Sequence, residues 1–216
     1  MLIKKTLAEF MGTFILVFIG SAGILSVGDA RGAAEIVAIS FAFGLALLAG
    51  IWALGHVSGA HFNPAVTLAM LLERRTTFAE AVGYWIGQFA GAGVASLVLM
   101  ATFNRADVGK TITGYGDLST AILFETALTA IFVLVILAVT KTGGNAAAAG
   151  IALTLVGVHL AGITSSGASV NPARSFAPAA VSGEGLDQLW VYIVFPLVGA
   201  IIAWGLYRLF PAEDSA

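Results

Sequence analysis

The sequence predicts an all-α membrane protein, with six transmembrane helices plus two re-entrant half-helices folded as an inverted repeat. Three observations carry that expectation. Of 216 residues, 59% are hydrophobic and only 10% charged, where soluble domains hold about 25% charged residues. Apolar runs long enough to cross roughly 30 Å of hydrocarbon recur along the chain. Finally, SGAHFNPA at 58–65 returns as SGASVNPA at 166–173, identical in six of eight positions at an offset of 108.

Taken in order, the first span is Leu7–Val27. Lys4 and Lys5 before an apolar run give the charge pattern of a signal peptide. The run continues to Val27 and further spans follow, so a retained span is the better reading. The second span is Glu35–Leu54. After it comes the apolar segment Pro64–Leu72, and then the third span, Ala79–Thr102. Gly83, Gly87 and Gly91 fall at i, i+4 and i+8 of that span, a stripe that lets a neighbouring helix approach closely. The second half reads the same way: spans Thr120–Thr140 and Asn145–Ile163, the short segment Pro172–Val181, and a last span Leu189–Phe210.

The two short segments open on Asn63-Pro64-Ala65 and Asn171-Pro172-Ala173. Asn is a favoured N-cap, and Pro suits the first helical position because its missing N–H would be unpaired there anyway. Nine or ten residues make about 15 Å of helix, half a membrane. Arg74 and Arg75 follow the first segment, where cations favour the C-terminal end of the helix dipole. The segments read as half-helices entering from opposite faces.

The 108 offset also carries Tyr84 to Tyr192 and Gly91 to Gly199, while Glu9 with Thr13 is echoed by Glu125 with Thr129, eight residues out of phase. A block of three spans is duplicated, residues 1–105 and 106–216. Three is odd, so the copies face opposite ways, as in membrane transport proteins. Lys4, Lys5, Arg74, Arg75, Lys141 and Arg208 fall on one side against Arg31, Arg105 and Lys110 on the other. That bias puts both termini in the cytoplasm.

Several function classes drop out. The chain has no cysteine, which excludes disulfides and thiolate metal sites. A net charge of −2 offers no basic surface for nucleic acid. His56 and His61, without cysteines or nearby carboxylates, are too few for a metal site and read as hydrogen-bonded loop packing, with pH gating as the alternative. No nucleophile–base pair is visible, and no cofactor is called for. Glu9 and Glu125, inside spans, raise the question of a proton relay. Bracing the loops before the half-helices is the better reading.

Paired NPA motifs on half-helices within an inverted repeat of three spans resemble the aquaporin family of major intrinsic proteins, its bacterial water-selective members in particular. The resemblance covers almost the whole chain. It implies a homotetramer with one pore per protomer in a bacterial inner membrane, water as permeant, and a narrow filter at Phe43, His159, Ala168 and Arg174. Phe43 lies twenty residues before Asn63, His159 twelve before Asn171, Ala168 three before it, and Arg174 follows the second motif. Glycerol-conducting relatives usually have Asp after that Arg, Trp at the Phe43 place and a small residue at the His159 place. Here Ser175, Phe43 and His159 stand there. Tyr192 followed by Ile193, where water channels often have two aromatics, is a departure from the pattern.

An arginine within the membrane is costly unless it faces a wet cavity, so Arg174 points to function by itself. Two alternatives to a water channel stay open: a broader channel for glycerol, ammonia or hydrogen peroxide, and a secondary transporter, for which Glu9 and Glu125 would have to couple an ion.

Overall fold

In a computed structural model, residues 1–29, 32–109 and 117–210 are described. Arg31 and Lys110, used above for orientation, lie outside them. The described helices are α1 (Leu2–Val27), α2 (Ala33–Ser58), α3 (Pro64–Leu72), α4 (Phe78–Met100), α5 (Arg105–Gly109), α6 (Leu118–Thr142), α7 (Gly144–Gly162), α8 (Pro172–Ser182) and α9 (Leu189–Leu209). Six of them, α1, α2, α4, α6, α7 and α9, are long and apolar enough to cross a membrane. The half-helices α3 and α8 have 9 and 11 residues.

Helix boundaries differ from the hydropathy reading wherever polar residues continue a helix beyond the apolar run. α1 starts at Leu2 and takes in Lys4 and Lys5. α2 runs four residues past Leu54, through His56, and stops where Gly59 adopts a left-handed conformation with φ 89°. The short α5 has no hydropathy signal at all. Its start is marked by Asn104, whose side chain accepts from the Asp107 N–H at 3.0 Å.

The two halves pair their helices alike. α1 packs on α2 and α4, as α6 packs on α7 and α9, while α3 lies against α9 and α8 against α4. The halves meet where α2 crosses α7. Gly44 there sits against the Ala152 carbonyl and Val156, and residues 44 and 152 are related by the offset of 108. The predicted glycine stripe is a close backbone contact: Gly87 and Gly91 face the Thr6 and Phe10 backbone of α1, and Gly199 on α9 faces Thr126 of α6 in the same manner. Without a strong hydrophobic force between helices in lipid, such close approach is what binds them.

Large apolar side chains on the outside, such as Leu45, Ile86, Leu123, Leu153 and Ile201, are exposed, as suits a hydrocarbon solvent. Arg75 differs from the sequence expectation. Rather than resting on the end of α3, its guanidinium donates to the Leu137 carbonyl and Thr140 hydroxyl of α6, both at 3.0 Å, and to the Tyr207 hydroxyl of α9 at 2.8 Å. Three hydrogen bonds to α6 and α9 hold it there, where the end of short α3 offers only a weak dipole field.

Candidate functional site

Two irregular stretches, residues 59–63 before α3 and 167–171 before α8, run through the middle of the bundle. They start only there because α2 persists to Ser58 and a turn carries the chain through Ser166. Positive φ occurs at Gly59, Ala60 and Phe62, and again at Gly167, Ala168 and Val170. Each of these positions is 108 residues from its counterpart. A left-handed conformation costs a non-glycine residue about 1–2 kcal/mol, so something must hold these loops.

Two buried carboxylates accept hydrogen bonds from them. Glu9 takes the Ser58 hydroxyl (2.6 Å) and His61 N–H (3.0 Å) on one oxygen, and the Phe62 N–H (2.7 Å) and Gln88 amide (2.8 Å) on the other. Glu125 takes the Ser166 hydroxyl (2.7 Å) and the Ser169 and Val170 N–H groups, both at 2.8 Å. Irregular backbone at membrane depth needs its polar groups satisfied in this way.

The stretches end on Asn63 and Asn171. Asn63 Oδ1 accepts from the Ala65 N–H at 2.8 Å, and Asn171 Oδ1 from the Ala173 and Arg174 N–H groups at 3.0 and 3.3 Å. Pro64 and Pro172 occupy the first helical positions. Each amide nitrogen then reaches across to the other half: Asn63 Nδ2 donates to the Val170 carbonyl (2.7 Å) and Asn171 Nδ2 to the Phe62 carbonyl (2.9 Å). One N–H of each amide is consumed, leaving one on each side chain at the junction of two helix N-termini.

Two neighbouring chambers lie at and beside this junction. A narrow one of about 20 Å³ is bounded by Phe43, His61, Asn63, His159, Asn171 and Arg174 among others. A wide one of about 500 Å³, lined by residues such as Ile51, His56, Val66, Met70, Asn145 and Ile151, shares Leu47, His61 and Phe132 with it. In the narrow chamber the Phe43 and His159 rings stack at 4.2 Å, and the Arg174 guanidinium lies 5.2 Å from the Phe43 ring centre. Arg174 Nη2 also donates to the Gly167 carbonyl at 3.5 Å. His159 Nδ1 is 2.9 Å from the Leu155 carbonyl, and its buried Nε2 has no partner among the described residues.

The family model for the major intrinsic proteins matches residues 1–207. The chain belongs to the major intrinsic protein family. Among relatives of this major intrinsic protein is the glycerol uptake facilitator protein-like 6 of Lactiplantibacillus plantarum, 43% identical over 98% of this chain and all of that one. Another is aquaporin Z of Photorhabdus laumondii, 37% identical over 99% of this chain and all of that one. The X-ray structure of the aquaglyceroporin from Plasmodium falciparum superposes with a TM-score of 0.87 at 22% identity, covering 97% of both chains, which shows the same fold.

In this major intrinsic protein the residues singled out by sequence converge unequally. Asn63, Asn171, Phe43, His159 and Arg174 border one chamber. Ala168 does not border it. It is fully buried, with φ 47°, and packs against Gly162. His56 is exposed on the wide chamber. His61, read as hydrogen-bonded loop packing with pH gating as the alternative, borders both chambers, with Nδ1 3.1 Å from the Thr67 hydroxyl. A sequence signal for it existed: at the 108 offset His61 and Thr67 become Ser169 and Ser175, whose hydroxyls are hydrogen-bonded at 2.6 Å. A polar pair repeated at the same spacing marks a structural site in both halves.

The same offset shows how one end came to be narrow. Phe43, His159 and Arg174 correspond to Ile151, Ile51 and Val66, and all three of those aliphatic residues line the wide chamber.

Proposed function

We propose that this protein is a passive, water-selective channel rather than an enzyme or a coupled transporter. The observation that carries the reading is the narrow chamber. Its volume of about 20 Å³ is close to the space one water needs, about 10–15 Å³ by the same kind of measure. Within it Phe43 limits width, while Arg174 and His159 offer hydrogen bonds that replace those a water loses. At its border, the free N–H of Asn63 and of Asn171 donates to a passing water oxygen, which is then poorly placed to accept from its neighbour in file. Two helix N-termini add about half a positive charge each and oppose cations, protons included.

Phe43 acts as sieve and Arg174 as charge barrier, with Glu9 and Glu125 as loop braces. The halves 1–105 and 106–216 derive from one duplicated unit. The protein works in a bacterial inner membrane as a homotetramer with cytoplasmic termini. A second reading, passage of glycerol or other small neutral solutes, draws support from the glycerol-facilitator-like relative. It is opposed by Phe43, His159 and Ser175, the residues least suited to a wider pore.

Stopped-flow light scattering on proteoliposomes separates the two. Fast shrinkage under an impermeant osmolyte, with no glycerol re-swelling, is the expected result; rapid re-swelling would favour the broader channel, and no water signal above empty liposomes would refute both. Arg174→Val is expected to admit urea and protons while still passing water. Unchanged exclusion in that variant would remove Arg174 from the filter.

A further inference from the structure

The two histidines that border the narrow chamber are held by different partners, and those partners dictate where each ring keeps its proton. At His159, Nδ1 faces the Leu155 carbonyl at 2.9 Å. A carbonyl only accepts, so Nδ1 carries the hydrogen and a neutral ring leaves Nε2 as a bare acceptor. His61 is set by a longer relay. Glu9 receives two donors on each oxygen, one of them the Gln88 amide at 2.8 Å, and the other N–H of Gln88 reaches the Thr67 hydroxyl oxygen at 2.9 Å. Thr67 therefore accepts from Gln88 and has its own proton to give. Among the described residues the remaining polar neighbour of that hydroxyl is His61 Nδ1, at 3.1 Å. Were Nδ1 to donate instead, the buried Thr67 proton would be left without an acceptor, which proteins avoid.

We propose that Gln88 and Thr67 are positioning residues that fix His61 as the Nε2–H tautomer, so that the two lumen imidazoles present opposite hydrogen-bonding characters: a donor at His61 and an acceptor at His159. His61 Nε2 has no protein partner among the described residues and is not sealed off, unlike His159 Nε2. The consequence for conduction rests on the channel reading above. A water beside His61 must accept, as it must at the two asparagines, whereas a water admitted to the buried His159 Nε2 would have to donate to it. The second half of the chain cannot build this relay, because Ser169, Ser175 and Pro196 stand where His61, Thr67 and Gln88 stand in the first.

The experiment is magic-angle-spinning NMR of ¹⁵N-histidine-labelled protein in liposomes, with His56→Gln to simplify assignment, alongside water permeability of the same samples. Expected are a protonated Nε2 at His61 and a protonated Nδ1 at His159. Thr67→Val and Gln88→Met should each lose the single His61 tautomer and part of the water permeability while leaving the His159 signals in place. Thr67→Ser should restore both. A protonated Nδ1 at His61 in the parent protein, or an unchanged His61 tautomer in Thr67→Val, would overturn the proposal. Correct tautomers in a protein that passes no water would uphold the relay and refute the channel reading instead.

Discussion

The Asn63 side chain makes two hydrogen bonds to protein and that of Asn171 makes three, so neither amide can rotate without breaking its own helix cap and its bond to the opposite loop. The orientation of their one spare N–H is therefore a property of both halves together. Glu125 has a comparable hold on the second loop. Replacing it by alanine leaves the Ser169 and Val170 N–H groups buried without an acceptor, at about 1–3 kcal/mol each. Glu125→Ala should accordingly unfold at markedly lower temperature in detergent and conduct poorly, and an unaltered melting temperature would contradict the brace. These residues were legible in the sequence because polar side chains in apolar helices stand out. Gln88 was not, since its partners lie 79 and 21 residues away and no local pattern connects them. His61 was seen, but its reach into both chambers depends on the Phe62 and Ala60 backbone, which hydropathy does not encode.

The helices owe their spacing to residues without side chains. Gly12 of α1 leaves room for the Phe62 ring and Gly20, two turns further on, for the Phe43 ring. A methyl group at Gly20 would overlap Phe43 directly, so the ring must tilt toward Arg174 and His159 or the helices must part. Overfilling of this kind costs about 1–3 kcal/mol. Gly20→Ala should therefore fold, yet show reduced water permeability per channel in stopped-flow measurements; full permeability would mean that Phe43 does not set the pore width. The long apolar helices and both half-helices could be read from sequence, because length and the Asn-Pro start are local signals. The ends of α1 and α2 could not, since Lys4, Lys5 and His56 prolong those helices out of the apolar zone. α5 escaped notice because five residues leave no periodicity to detect.

At the scale of the whole molecule, the two halves share one arrangement of helices and differ in the residues that line the two chambers. The shared arrangement was visible as a repeat of eight residues. The packing of α2 across α7 and of each half-helix against the opposite half follows from the inversion, and no single segment announces it. Because the chain lacks cysteine, its sidedness can be tested cleanly. Single cysteines at Arg74 and at Glu184 should react with a membrane-impermeant thiol reagent from opposite faces of the cell membrane, Glu184→Cys from outside; the reverse pattern would place the termini outside. The chambers differ in width although the halves share one plan, with Ile51, Val66 and Ile151 at one end replaced by His159, Arg174 and Phe43 at the other. A rigid passive pore cannot rectify, so net flow at a given gradient is the same in either direction. Obstruction is different. A bulky solute arriving at the tight end is turned away at the threshold, whereas from the roomy end it advances to the aliphatic walls and lodges there like a cork. In vesicles of uniform orientation, a bulky thiol reagent on Ile151→Cys should stop water only when added on the roomy side, and a blocker of this protein would have a sidedness that its traffic lacks.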